Sequence, residues 1–574
     1  MRRPAVLPFL VALTVVSGCS RPHATSAPPP PASTLAGPTG GAMHLPTTVA
    51  GWAIGAQLFE GLGQRHRPVT TASTEARRYF DQGMALMWGF NHDEATRSFA
   101  KAAALDPQCA ACFWGVSLTV GPNYNLPLLS TERARVAHEA LELATAGAGR
   151  AAPVEQALIR ALAKRYPDAK PLGPDAALPV LAAYAAAMKQ VAQQFPADLD
   201  VRTLYAESLM NLRAWKLWAA DGTPAPGTIE IVETLESVLA SDPSHPGANH
   251  YLVHALEASP HPERALASAE RLRELVPGAG HLVHMPAHIF QRVGRYEDAA
   301  EANRRAAVAD EAYAARTTPP DYYPVMYTAH NYQFLAYSAA MEGRRFEALE
   351  AADRSRATVT DAMLLEMPGA DWYVAEIYTA RVRFGLWDEL LAMPVPDSRL
   401  PGLGVGHLFG RAMAQAAKGR PADARATLAS LRALAEALPA DVAAGQNSLK
   451  DVAGVAAAVV EARIAGAEHR AKDEIGWLRK AVAAEDALAY DEPRDWFVPS
   501  RHVLGAVLLR AGSPREAESV YRADLKQSPA NGWALAGLRS ALTAQGKRME
   551  AAAVVAELKQ AWGSADVQPG ASAY

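Results

Sequence analysis

From about residue 70 onward, apolar positions recur at intervals of three and four, with polar and small residues between them and short turn segments cutting the pattern. That spacing lines one stripe of a helix with apolar side chains. No convincing run alternates apolar and polar residues as a half-buried strand does, which argues against a parallel-sheet enzyme. Pro153–Arg165, Ala177–Phe195 and Asp200–Leu212 keep the helical spacing even where the punctuation between them is irregular. Leu105-Asp106-Pro107 and Asp242-Pro243 read as helix stops, because proline has no amide hydrogen with which to continue a helix. One helical hairpin cannot bury its apolar stripe alone, so successive hairpins are expected to stack and share a core.

The pattern has a longer period. With position 1 at Ala76, Gly83 falls at position 8, Ala95 at 20 and Pro107 at 32. The next unit, from Gln108, has Gly115 at 8 before Gly121-Pro122-Asn123 inserts a loop. A unit from Pro246 puts Ala265 at 20 and Pro277 at 32, one from Gly280 puts Gly294 at 15 and Ala299 at 20, and one from Ala329 repeats this with Gly343 and Ala348. Further units start near Asp371 (Gly385), Val405 (Gly419, Ala424), Val498 (Gly512, Ala517, Pro529) and Gly532 (Gly546, Ala551). This register resembles the tetratricopeptide repeat (TPR), whose period of about 34 carries small residues at 8 and 20, glycine near 15 and proline at 32. The resemblance implies an all-α fold: a TPR-type solenoid of helical hairpins, wound as a right-handed superhelix, after a signal peptide and a disordered linker. We expect one array over 70–355, a second over 356–565 and a tail over 566–574.

Arg2 and Arg3, the apolar stretch over 5–16 and Val16-Ser17-Gly18-Cys19 form an export signal. The tetrapeptide resembles the bacterial lipobox, which implies a signal peptide over 1–18 and lipidation of Cys19. Ser20 in place of Asp implies the outer membrane. Acyl chains stabilise insertion by about 0.8 kcal/mol per buried methylene, so such an N-terminus would anchor the protein to a bilayer in the cell envelope, facing the periplasm. Residues 19–50 begin with that cysteine and are rich in Pro, Ala and Ser, including Pro28-Pro29-Pro30-Pro31, which reads as a flexible tether.

Half of the 574 residues are apolar and a fifth are charged, enough for a large core. The net charge is −4 with the two signs interspersed, so nucleic acid is not an expected partner.

In TPR arrays the first helix of each pair lines a concave groove, and the resemblance implies that positions 2, 5 and 9 face it. The unit from 246 has Gly247, His250 and His254 there; that from 280 has His281, His284 and His288; that from 329 has His330, Gln333 and Tyr337. Six of the nine are histidine, although the chain holds only 16 in all. Imidazole is the commonest metal ligand and is neutral near pH 7, so several can converge without repulsion. The pairs at i, i+4, His250/His254 and His284/His288, can chelate from one helix. His250, His254, His281, His284, His288 and His330 are therefore the candidate ligands of a transition metal, with Zn, Cu, Ni and Fe all suited. Pro286 disfavours helix at Met285, which would leave His281 in a loop or kinked turn.

Cys109 and Cys112 occupy positions 2 and 5 of the unit from 108 and are a second candidate for a metal or redox site, with a disulfide as the alternative. Phe113 after Cys112 removes the covalent haem signature. His92, Asn123, Asn125, Gln333 and Tyr337 are further groove-lining candidates, and His502 a minor one. Asp491-Glu492-Pro493 reads as packing at a helix start.

Trp88-Gly89-Phe90-Asn91-His92, Cys109-Ala110-Ala111-Cys112, Gly121-Pro122-Asn123 and Gly280-His281-Leu282-Val283-His284-Met285-Pro286-Ala287-His288 resemble a group of large exported bacterial TPR proteins. The resemblance spans about residues 70–560; it implies fold and export and assigns no reaction. No His-Glu-x-x-His motif, phosphate loop or nucleophile elbow occurs. Two functions fit: a metal or small-ligand site in the groove, with capacity for catalysis, or a scaffold that binds a peptide or envelope partner there.

Overall fold

The computed structural model describes residues 45–127, 129–171, 173–317, 322–567 and 571–573. The signal peptide, the lipidation site Cys19 and most of the tether lie outside the described residues. From Thr74 the chain is a succession of helices, most of which pack against the next, as Thr74–Trp88 does against His92–Leu105, Ala329–Met341 against Arg345–Thr358, and Gly532–Ala544 against Arg548–Ala561. It is an all-α array of TPR-type hairpins. The strands, among the described residues, form one two-residue ribbon, Ala443–Ala444 with Asn447–Ser448. No described helix is long and apolar enough to cross a membrane.

Local chemistry sets the helix ends. Ser73 Oγ accepts from the amide of Ala76 (3.1 Å) and Asn531 Oδ1 from that of Ala534 (2.8 Å), each satisfying an amide that a helix start leaves unpaired. At position 15, Gly294 and Gly343 turn the chain out of a first helix at φ +78° and +71°, a backbone that side chains rarely adopt.

Small residues set the spacing between helices. A Cβ added to Gly83 would come within 2.7 Å of the Phe99 ring, and one on Gly115 within 2.4 Å of it. Phe99 is thus a knob gripped between two glycines. The same sixteen-residue steps recur near the other end, where Cβ atoms on Gly505 and Gly537 would lie 2.3 and 2.1 Å from the Tyr521 ring.

The array is closed by two returning segments. The N-terminal stretch binds across the hairpins: Gly61 O accepts from Gly278 N (2.8 Å), Leu58 O from Arg316 (2.9 Å), and Arg67 bridges Asp198 and Asp200 at 2.9 and 2.7 Å. The C-terminal hairpins fold back onto the middle ones, Trp533 Nε1 donating to Ala340 O (2.7 Å) and Asp566 accepting from Arg345 N (2.7 Å). This closure turns the inner helix face into an interior.

Candidate metal centre

The six candidate histidines stand on four helical pieces: Pro246–Leu256, Gly280–His284, Pro286–Arg292 and Ala329–Met341. His281 is helical, against the expectation of a loop. Met285 keeps right-handed helical angles (φ −51°, ψ −34°) and its amide still donates to His281 O (3.0 Å), while Pro286 opens the next helix, where its missing amide hydrogen costs nothing. The interruption falls after His284 and divides the histidines between two short helices.

The rings meet. Centroids lie 4.9 Å apart for His250 and His254, 5.0 Å for His250 and His281, 4.8 Å for His284 and His288, and 5.0 Å for His284 and His330. His250, His254, His281, His284 and His288 are at most 5 % exposed, and His330 is partly exposed. His281 also lines a small cleft with Phe59, Asn91 and Tyr313.

Four of the six rings have Nδ1 on an acceptor. His250 Nδ1 donates to Trp88 O (2.5 Å), His254 Nδ1 to Glu257 Oε1 (3.0 Å), His284 Nδ1 to Asn303 Oδ1 (2.7 Å) and His330 Nδ1 to Gln333 Oε1 (3.0 Å). Asn303 Nδ2 donates to Ala299 O, which fixes the amide so that Oδ1 faces the ring. His288 Nδ1 lies 2.8 Å from Glu257 Oε2 and 3.0 Å from Glu492 Oε2. A proton held on Nδ1 leaves Nε2 of a neutral ring with its lone pair free, which is how metal-ligating imidazoles are oriented. Nε2 of His250 and His254, and both nitrogens of His281, are buried without a hydrogen-bond partner. Nε2 of His284 and of His288 face each other at 2.9 Å.

Electrostatics follow from burial. Desolvation holds His250, His281 and His284 well below the ordinary imidazole range, and takes His330 down to about 3. These rings are neutral at physiological pH, the form that binds metal. For His288, burial opposes the charge, but the Glu257 and Glu492 carboxylates outweigh it and raise the ring to about 9. Burial likewise opposes ionisation of Glu257, yet His254 and His288 hold it down to about 2.

Aromatic rings wall the cluster. Phe90 lies 4.6 Å from His250, Trp215 5.6 Å from His254 and Phe334 4.6 Å from His284. Phe90 and Trp215 have φ of +54° and +61°, a backbone that costs a side-chain-bearing residue of order 1–2 kcal/mol and that clusters at functional sites. Both strained residues aim their rings at imidazoles.

The other candidates are placed differently. Cys109 and Cys112 are fully buried and joined in a disulfide, outside the groups of potential ligands. Gln333 holds His330, whereas Tyr337 stacks edge-on against Phe497. His92 is buried beside Phe90, and burial takes it down to about 3. Asn123 accepts from the amides of Asn125 and Leu126 (2.9 Å each), shaping the turn that presents Tyr124 to His254. His502 pairs with Asp524 (2.8 Å), away from the cluster. Glu257, Asn303 and Glu492 belong to the site although sequence reasoning passed over them. Glu257 alone left a sequence signal, an acid three residues after His254 on the same helical face. Glu492, read as packing at a helix start, reaches His288 from the C-terminal hairpins.

No protein-family model matches the chain, and no curated protein matches it. Among solved structures, it is similar to the human IFIT1 dimer with m7Gppp-AAAA, at 12 % identity over 86 % of this chain and 91 % of that one, TM-score 0.31. It is also similar to yeast Tom70, at 11 % identity over 85 % and 93 % of the two chains, TM-score 0.28. A third is the APC/C hetero-tetramer Cut9-Hcn1, at 12 % identity over 87 % and 79 %, TM-score 0.29.

Proposed function

We propose that this chain is a lipid-anchored protein of the bacterial envelope, outer-membrane-bound and facing the periplasm, whose helical-repeat body binds a transition metal through the buried histidine cluster. The observation that carries the metal reading is the convergence of six imidazoles in which acceptors hold Nδ1 of His250, His254, His284 and His330, while Nε2 of His250 and His254 and both nitrogens of His281 are buried without a partner. Zn, Cu, Ni and Fe are the metals suited to imidazole. An ion held by three imidazoles keeps a position open for water or a small ligand, which it can activate or polarise. The anchor reading rests on the lipobox-like residues ending at Cys19. A protein or peptide partner would use other faces of the array, because His250, Gln333 and Tyr337 are buried.

Elemental analysis of protein purified without an affinity tag tests the metal reading. Near-stoichiometric transition metal is expected, and the double variant His284→Ala/His288→Ala should lose metal while keeping its helical circular dichroism. Metal-free wild-type protein that also fails to take up added metal would end this reading. Labelling with a radioactive fatty acid, lost in Cys19→Ala, tests the anchor.

A further inference from the structure

We infer that the cluster is a two-ion centre: His250, His254 and His281 hold one transition-metal ion, His284, His288 and His330 hold a second, and the Glu257 carboxylate between them orients one imidazole of each set. This rests on the metal reading above and adds how many ions bind and how the ligands divide.

An imidazole-bound ion sits about 2.0–2.1 Å from each nitrogen, so ligands of one ion crowd within roughly 4 Å of one another. The six rings do not form one such group. Among the described residues, ligand atoms lying within 4.8 Å of each other make groups of three: His250/His254/His281, His284/His288/His330 and Glu257/His288/Glu492. The first two share no residue. They are adjacent, with ring centroids 5.8 Å apart for His254 and His288 and 5.7 Å for His281 and His284.

Glu257 spans the boundary. Its Oε1 accepts from His254 Nδ1 and its Oε2 lies 2.8 Å from His288 Nδ1, so one buried carboxylate stands on the Nδ1 side of both rings, leaving Nε2 of His254 for the first set and Nε2 of His288 for the second. The third group uses His288 again, through the nitrogen that already faces both carboxylates. His288 therefore serves the second ion through Nε2, which lies 2.9 Å from Nε2 of His284, and Glu492 joins Glu257 in steadying it.

The test is equilibrium dialysis of the full chain, stripped with chelator, against Co2+, whose visible absorption reports its ligands. Wild-type protein is expected to bind two equivalents. His250→Ala and His330→Ala should each keep one, and Glu257→Gln should weaken both by about tenfold to a hundredfold. His281→Leu, which conserves volume, backs up His250→Ala if that variant loses its helical circular dichroism. Glu492→Gln should weaken the second equivalent without abolishing it and leave the first unchanged. A single equivalent abolished by either His250→Ala or His330→Ala would mean one shared ion and overturn the division while leaving metal binding intact. Two equivalents surviving both substitutions would put the ions elsewhere. A second equivalent lost in Glu492→Gln but kept in His284→Ala would hand that ion to the carboxylate group and overturn the assignment. No Co2+ bound by wild-type protein would refute the metal reading itself.

Discussion

The hairpins at the two ends of the array and those in its middle use one backbone plan for opposite purposes. At the ends, position 24 of the units from Ala76 and Val498 is Phe99 or Tyr521, and each ring is gripped by two glycines. In the units from Pro246, Gly280 and Ala329 the same position is Ala269, Asn303 or Ala352. Without the aromatic knob, the inner face has room for imidazoles. Room filled by polar rings then needs partners, because an unpaired buried polar group costs about 1–3 kcal/mol. Those partners come from several elements: Trp88 O, Asn303, Gln333, Glu257 and Glu492. A repeat joint is therefore dry or chemically armed according to what stands at one position of its second helix.

The sharpest way to break this contrast is to empty a dry joint. Phe99→Ala should cost about 3–5 kcal/mol, read as a shift of the urea midpoint, with metal content per folded chain unchanged. A comparable loss of metal would mean that the terminal joint is coupled to the cluster, and the two regions would not be separable.

The middle region should also answer to pH. Asp310 supports the polar side of the cluster, accepting from Tyr323 (3.0 Å) and Asn331 (2.8 Å), and burial pushes its carboxyl up to about 7. A carboxyl raised on folding contributes stability that is complete below its unfolded value, near 4, and is lost as pH rises through 7. Between about pH 5 and pH 8 the loss is roughly 2–3 kcal/mol from this group. Denaturation of metal-free protein across that range should show the decline, and Asp310→Asn should flatten it. An unchanged slope in the variant would remove Asp310 from the account.

The contrast also marks where sequence reasoning succeeds and fails. Gly83, Gly294 and Ala299 are legible because steric demands recur at fixed positions in several units, and His250, His254, His284 and His288 are legible because i, i+4 spacing fixes a shared face in any helix. Depth is not legible. The histidines read as lining an open groove, yet the N-terminal strap and the returning C-terminal hairpins close over that face, and both are long-range contacts without a local pattern. Glu492 meets His288 by the same return. Pro286 misled in a different way: a proline inside a helical run reads as a break, but here it begins a new helix and leaves His281 in the preceding one.

Stability and binding should pull apart at His281. Neither of its nitrogens has a hydrogen-bond partner, so the metal-free protein bears their desolvation. His281→Leu should raise metal-free stability by about 2 kcal/mol while removing one equivalent of bound metal. A loss of stability would show that this ring packs as part of the fold, as Phe99 does, and would erase the distinction between the two kinds of joint.

The smallest expected effect is the most selective. Gln333 does not touch the inferred ion; it holds His330 Nδ1 through Oε1, and its amide meets the buried Glu376 carboxyl, which burial keeps far above the ordinary carboxylic acid range. Gln333→Leu keeps the volume and frees the His330 ring to turn, so the second ion should bind about tenfold more weakly, about 1.4 kcal/mol, while the first keeps its affinity. Competitive titration with a chromophoric chelator resolves the two steps. Equal weakening of both would mean that the ions share one network of ligand support, and no weakening would mean that His330 is held by its position on the helix alone. Only a one-sided change fits a middle region in which each imidazole set has its own holders and Glu257 is the group they have in common.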